Sequence, residues 1–204
     1  MADFFKGLIP FLPTIVAVFT IVFGFGAWRR QLVGSRRITL LEDVLTGFYQ
    51  ARDAIAEIRS PFVFEGEGST VKPPITTQCN VENDNQAYYV FIERFSRHQQ
   101  LFTNLQVQKH RFMATFGAEK AVPFEKLNKL VYDLASTNSF LNHPESGIKN
   151  FKPPLDESEK KLLVESRKKL YSLTDDPLIK DIDEIIDLIE KIVSKEMKKT
   201  IWRF

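Results

Sequence analysis

From Gly7 to Ala27 the chain carries no ionisable side chain, and this apolar run stops at Trp28-Arg29-Arg30. Wound as a helix at about 1.5 Å per residue, such a stretch reaches roughly 30 Å, the thickness of a bilayer's hydrocarbon core. The pattern predicts one membrane span over residues 7–28. A cleavable signal peptide is the competing reading, with Lys6 as its basic start. Its apolar region would run only about 7–15 residues before a small-x-small cleavage site. Here Gly24-Phe25-Gly26-Ala27 leads straight into Trp28 and two arginines, so the uncleaved anchor is favoured. Pro10 and Pro13 fall in the first turns of the span, where a missing N–H matters least, and mark a helix start.

Beyond Gly34-Ser35 the pattern changes period. Leu41, Val44, Leu45, Phe48, Ile55 and Ile58 recur at three- and four-residue spacing, which predicts an amphipathic helix from Arg36 to Arg59, ended by Pro61. Gln31-Leu32-Val33 contains no breaker, so the span is expected to run through Gly34 as one rod, bent there or straight. Loops are expected over about 60–84, with a short strand or hairpin as an option, and over about 143–155. Between them, one helix is predicted from about Asn85 to Phe116, with Gly117 as its C-cap. Another is predicted from Pro123 to about Asn142, carrying Phe124, Leu127, Leu130, Leu134 and Phe140. Asp156 with Glu159 reads as a capping pair for a helix over Glu157 to Ser172. Asp176 and Pro177 open a last helix to about Trp202, with an apolar stripe of Leu178, Ile182, Ile185, Ile189, Ile192 and Val193. No repeat is seen. The expectation is an all-α fold in two parts: an N-terminal anchor over 1–30, and a helical domain over 31–204 built as an up-and-down bundle that continues out of the membrane helix.

Charge sets orientation and excludes some partners. Lys6 is the only basic side chain before the span, whereas Arg29, Arg30, Arg36 and Arg37 follow it, which places the C-terminal part in the cytoplasm. Trp28 belongs at the headgroup level, with Phe4 and Phe5 as anchors on the other side. The formal net charge is +2, from 28 basic and 26 acidic residues, so no global field attracts a nucleic acid. A single cysteine, Cys79, cannot form an intramolecular disulfide, which suits a reducing cytosol.

Candidate chemistry concentrates in Phe48-Tyr49-x-Ala51-Arg52-Asp53-Ala54-Ile55-x-x-Ile58-Arg59, followed by Gly66-Glu67-Gly68. Arg52, Asp53, Glu57, Arg59 and Glu93 form a candidate polar network, with Arg52 or Arg59 expected to pair with Glu93 and pin neighbouring helices. The carboxylates alone do not make a di-iron site, because no glutamate has a histidine three residues on, and no metal is expected. The histidines make no ligand pair, no phosphate-binding Gly-rich loop or nucleophile elbow occurs, and the short glycine pair reads as a turn. No cofactor is implied.

The Trp28-Arg29-Arg30-Gln31-Leu32 junction after one span, together with the Phe48–Gly68 motif, resembles a group of uncharacterised bacterial single-span membrane proteins over roughly residues 8–120. The resemblance implies a bacterial inner-membrane anchor, its N-terminus outside, with a cytosolic helical domain. It brings no activity to any residue. The expected function is a non-enzymatic, membrane-tethered interaction or scaffold module whose partners are the lipid bilayer and a protein or further copies of itself. The alternative is a membrane-anchored enzyme or effector with a polar site around Arg52, Asp53, Arg59 and Glu93. A pore is a third option; Gly24-x-Gly26 permits close helix approach, but the span lacks Gly-x-x-x-Gly and a polar stripe.

Overall fold

Nothing between Leu12 and Ile58 breaks a helix once Pro13 has been placed in the first turn, and the chain forms one helix there, α1 (Leu12–Ile58), 47 residues long. At about 1.5 Å per residue this rod is roughly 70 Å long. The computed structural model describes residues 12–71, 86–143, 156–171 and 176–202. The other helices are α2 (Gln86–Phe116), α3 (Val122–Asn142), α4 (Glu157–Leu170) and α5 (Pro177–Trp202), with a 3₁₀ turn at Ala118–Ala121 between α2 and α3. No strand occurs among the described residues. Lys6, Pro10, Cys79, Pro144 and most of the two expected loops lie outside them.

The two halves of α1 meet different surroundings. Every described side chain from Val16 to Val33 is exposed, apart from the part-covered Gly26, although most are apolar. Ile21, Phe23 and Phe25 are 69%, 65% and 63% exposed. The Thr20 hydroxyl in this stretch donates to the Val16 carbonyl at 2.8 Å, so its polar hydrogen is satisfied within the helix. From Leu40 onward burial follows the helical period through Leu41, Val44, Phe48, Ala51, Ile55 and Ile58.

The core forms around this second half. α2 and α5 lie against α1, α3 lies against α2 and α5, and α4 lies against α3. Phe48 meets Phe124 of α3 edge-on at 4.9 Å, and Phe112 of α2 closes the cluster 5.5 Å from Phe124. Close approach of α2 requires Gly47, because a Cβ there would stand 2.8 Å from Leu105 Cδ2. The Tyr49 hydroxyl donates to Glu190 Oε1 at 2.6 Å and ties α1 to α5.

The ends of the helices follow local chemistry. Gly117 takes a φ of 105°, and its N–H donates to Met113 O as α2 ends. Pro123 sits in the first turn of α3. Asp156 Oδ1 accepts the Glu159 N–H at 2.7 Å while Glu159 Oε2 accepts the Asp156 N–H at 2.9 Å, completing the capping box of α4. That helix stops at Leu170, short of the expected Ser172, where Tyr171 turns extended. Asp176 Oδ1 accepts the Leu178 N–H at 2.9 Å and caps α5. Phe140, named with the apolar residues of that helix, is 40% exposed.

Candidate functional site

The polar residues nominated from the sequence fall into three separate settings. Arg52 and Asp53 lie on the water-facing side of α1, 3.4 Å from each other, with Arg52 also over the Tyr49 ring. Neither reaches Glu93. Arg59 is buried at the C-terminal end of α1, and its partner is Asp176, with Nη2 2.5 Å from Oδ2, both side chains 1% exposed. The same guanidinium donates to the backbone carbonyls of Lys169 at 3.0 Å, Lys168 at 3.3 Å and Tyr171 at 3.5 Å. A cation thus closes the unsatisfied carbonyl end of α4 and meets the carboxylate that caps the start of α5. The expected pairing of Arg52 or Arg59 with Glu93 is not formed, because Arg59 lies against the ends of α4 and α5 and Arg52 faces water.

Glu57 and Glu93 do come together, around cations that the sequence reading did not nominate. Arg94 of α2 is 2% exposed and holds Glu67 in a two-pronged pair, Nε to Oε1 at 2.8 Å and Nη2 to Oε2 at 2.7 Å. Its remaining N–H groups donate to the carbonyls of Ser60 at 2.7 Å, Phe62 at 2.5 Å and Glu57 at 3.3 Å. A guanidinium has five donors, and all are engaged. Beside it, Arg97 reaches Glu93 at 3.0 Å, Glu67 at 3.2 Å and Glu57 at 3.3 Å, and His98 Nε2 lies 3.0 Å from Glu57 Oε2.

Backbone geometry delivers these groups. Gly66 and Gly68 have φ of 84° and 89°, so the chain after α1 makes the expected turn and points Glu67 inward. The Gly68 N–H donates to Glu93 at 2.7 Å, and a Cβ on Gly68 would crowd the Val90 backbone nitrogen at 3.1 Å. The hydrogen bonds from Arg94, reinforced by the Phe64 N–H, hold the Glu67 carboxyl down at about 2 against the opposing effect of burial. The Thr70 hydroxyl, the Gly68 N–H and Arg97 lower Glu93. Arg97 is raised, chiefly by its hydrogen bond to Glu93. Glu67 and Arg94 were legible in part: a carboxylate between two glycines, and a cation three residues after Phe91 on an apolar helix face.

The network leaves little room for a substrate. The cavity beside it, lined by Ser60, Arg94 and Asn138 among others, is about 30 Å³, the space of about one water. Asn138 Nδ2 is buried without a partner there. Among the described residues no three His, Cys, Asp or Glu side chains gather as a metal site. What the network does is mechanical: it clamps residues 60–68 to α2 while leaving Phe62, Val63 and Phe64 75%, 49% and 75% exposed. Comparison with family models, with curated proteins and with solved structures finds no match for this chain.

Proposed function

We propose that the chain is a membrane-anchored helical module that holds a protein partner, or further copies of itself, at the cytoplasmic face of a bacterial inner membrane. The reading rests on one contrast: α1 is a single helix whose first half exposes apolar side chains all round and whose second half buries them on one face. An all-round apolar helix is stable in lipid, and a one-sided helix is stable in a core. The first half of α1 is then the span, and the helices after it form an up-and-down bundle in the cytoplasm, oriented by Arg29, Arg30, Arg36 and Arg37.

The clamped Phe62-Val63-Phe64 segment supports a docking role. It stands at the end of α1 remote from the span and offers three apolar side chains on backbone that Arg94 and Glu67 fix in place. Rigid aromatic anchors lose little entropy on binding. The enzymatic alternative needs Arg52, Asp53, Arg59 and Glu93 around one site, and their separation weighs against it.

Size-exclusion and crosslinking of the full chain, extracted in mild detergent, test the reading. Wild type should run as a complex or homo-oligomer, and the Phe62→Ser/Phe64→Ser pair should run as a monomer with unchanged helicity. A wild-type monomer carrying a bound metabolite would overturn it. A reporter fused after Phe204 should act in the cytoplasm, and periplasmic activity would reverse the orientation.

A further inference from the structure

The last turn of α5 ends beside the part of α1 that leaves the span. Thr200 and Ile201 share a cavity of about 370 Å³ with Gln31, Gly34 and Ser35 of α1. Gln31 is two positions beyond Arg29, a rise of about 3 Å. At this level Ile201 is 64% exposed and Trp202 is 89% exposed. Both are apolar side chains at the end of an otherwise water-adapted helix. A Trp in such a place has the amphipathic ring that favours the membrane–water boundary.

A second and larger cavity of about 540 Å³ opens next to it, lined by Arg37, Lys120, Lys199, Glu196 and Trp202 among others. Three elements bring the cations together: α1 supplies Arg37, the 3₁₀ turn Lys120, and α5 Lys199. Arg37 is held in place by donating to Thr115 O at 3.2 Å and lying over the Phe116 ring, and its buried Nε has no partner. Lys120 donates to Phe116 O and lies 3.6 Å from the buried Glu196 carboxylate, which Lys199 approaches at 2.9 Å. Glu119, 72% exposed, reaches Lys120 from the rim. Positive charge is in excess, and it faces the same side as Trp202.

We propose that this corner is a second membrane contact: Ile201 and Trp202 lie at the boundary between headgroups and acyl chains, and the cavity between Arg37, Lys120 and Lys199 receives the phosphate of an anionic phospholipid. The proposal rests on the anchor reading above. With the hydrocarbon edge near Arg29, the headgroup layer extends roughly 5–8 Å further, and long basic side chains reach across the remainder. Complementary charge makes the anionic headgroup the occupant. The contact fixes how the domain stands on the bilayer, because a rod alone leaves it free to rotate about α1.

The test uses the full chain with Trp28→Phe, which leaves Trp202 as the sole indole, in nanodiscs of phosphatidylcholine with or without phosphatidylglycerol. In discs with phosphatidylglycerol, Trp202 emission should shift to the blue and be quenched several-fold by a lipid carrying a nitroxide near the glycerol. Lys120→Glu/Lys199→Glu should reverse both effects with helicity kept. Water-like, unquenched Trp202 in both kinds of disc would overturn the proposal, as would an equal shift produced by inorganic phosphate in phosphatidylcholine alone. The companion Trp202→Phe chain reads Trp28: if Trp28 is quenched and Trp202 is not, only the second contact fails. If neither is quenched, the anchor fails with it.

Discussion

The two halves of α1 share one backbone and differ in how their apolar side chains are covered. Between Val16 and Val33 the described side chains are mostly apolar and, apart from the part-covered Gly26, exposed, whereas from Leu40 to Ile58 the apolar positions keep to one face and are buried. Helical hydrogen bonding is the same in both, so helix formation does not distinguish them. What distinguishes them is where the transfer free energy of apolar surface, about 25 cal/mol per Å², is recovered. The second half recovers it against α2, α3 and α5, and the first half recovers it only in a non-aqueous medium or against another apolar surface.

Truncating one phenylalanine in each half should give the largest contrast. Phe48 is 0% exposed and touches Phe124, so Phe48→Ala should destabilise the helical domain by about 3–5 kcal/mol. Phe23 is 65% exposed, so Phe23→Ala should leave the domain's urea midpoint in detergent unchanged. Equal effects would erase the distinction between the halves.

Arginines sharpen the same contrast within the second half. Arg59→Ala strands Asp176 and opens the end of α4, for a loss of about 3–5 kcal/mol. Arg52→Ala on the water-facing side should cost at most about 1 kcal/mol. Urea titration of the two variants reads the difference, and a severe Arg52 variant would mean that its face is covered.

Glycines extend the comparison. Gly47 faces Leu105 Cδ2, whereas Gly24 has nothing within 4 Å of a built Cβ. Gly47→Leu should therefore destabilise the domain by about 1–3 kcal/mol through overpacking. Gly24→Leu should leave it untouched.

A pH dependence at the far end of α1 gives a chemical reading of the same comparison. Glu67 has a folded pKa of about 2 against an ordinary 4.5. A depressed carboxylate contributes stability that is fully present above 4.5 and is lost as pH falls toward 2. Stability should fall across that window in wild type, and Glu67→Gln should flatten the fall while lowering stability at neutral pH. An identical acid profile in the variant would assign the loss to other carboxylates.

Much of this architecture is legible in the sequence because helix periods and caps are local. Asp156 with Glu159, Asp176 with Pro177, and the apolar stripes of α2 and α5 announce themselves within a few residues. The continuous α1 is legible for the same reason, since no breaker separates the apolar run from the amphipathic segment. Partner choice is not local. Arg59 meets Asp176 across 117 positions of chain, and Arg94 meets Glu67 through a turn whose path depends on two positive φ angles. Spacing put Arg59 on a helix face but said nothing about which helix ends would meet there, so Glu93 was assigned a partner that Arg97 supplies instead. The basic corner at Arg37, Lys120 and Lys199 joins three elements, and of its cations only Arg37 is marked in the sequence, by its place after the apolar run.

A cysteine scan along α1 tests the central claim most directly, using the full chain with Cys79→Ser in sealed inside-out vesicles, whose cytoplasmic face is outward, and a membrane-impermeant maleimide. Single cysteines from 16 to 28 should stay unlabelled although the described side chains there are uncovered, apart from the part-covered position 26. Cysteines at Asp43, Thr46, Gln50 and Asp53 should label, while those at Leu41, Val44, Phe48 and Ile55 should not. Uniform labelling from 16 to 28 would contradict the account, because the exposed apolar half of α1 would then stand in water.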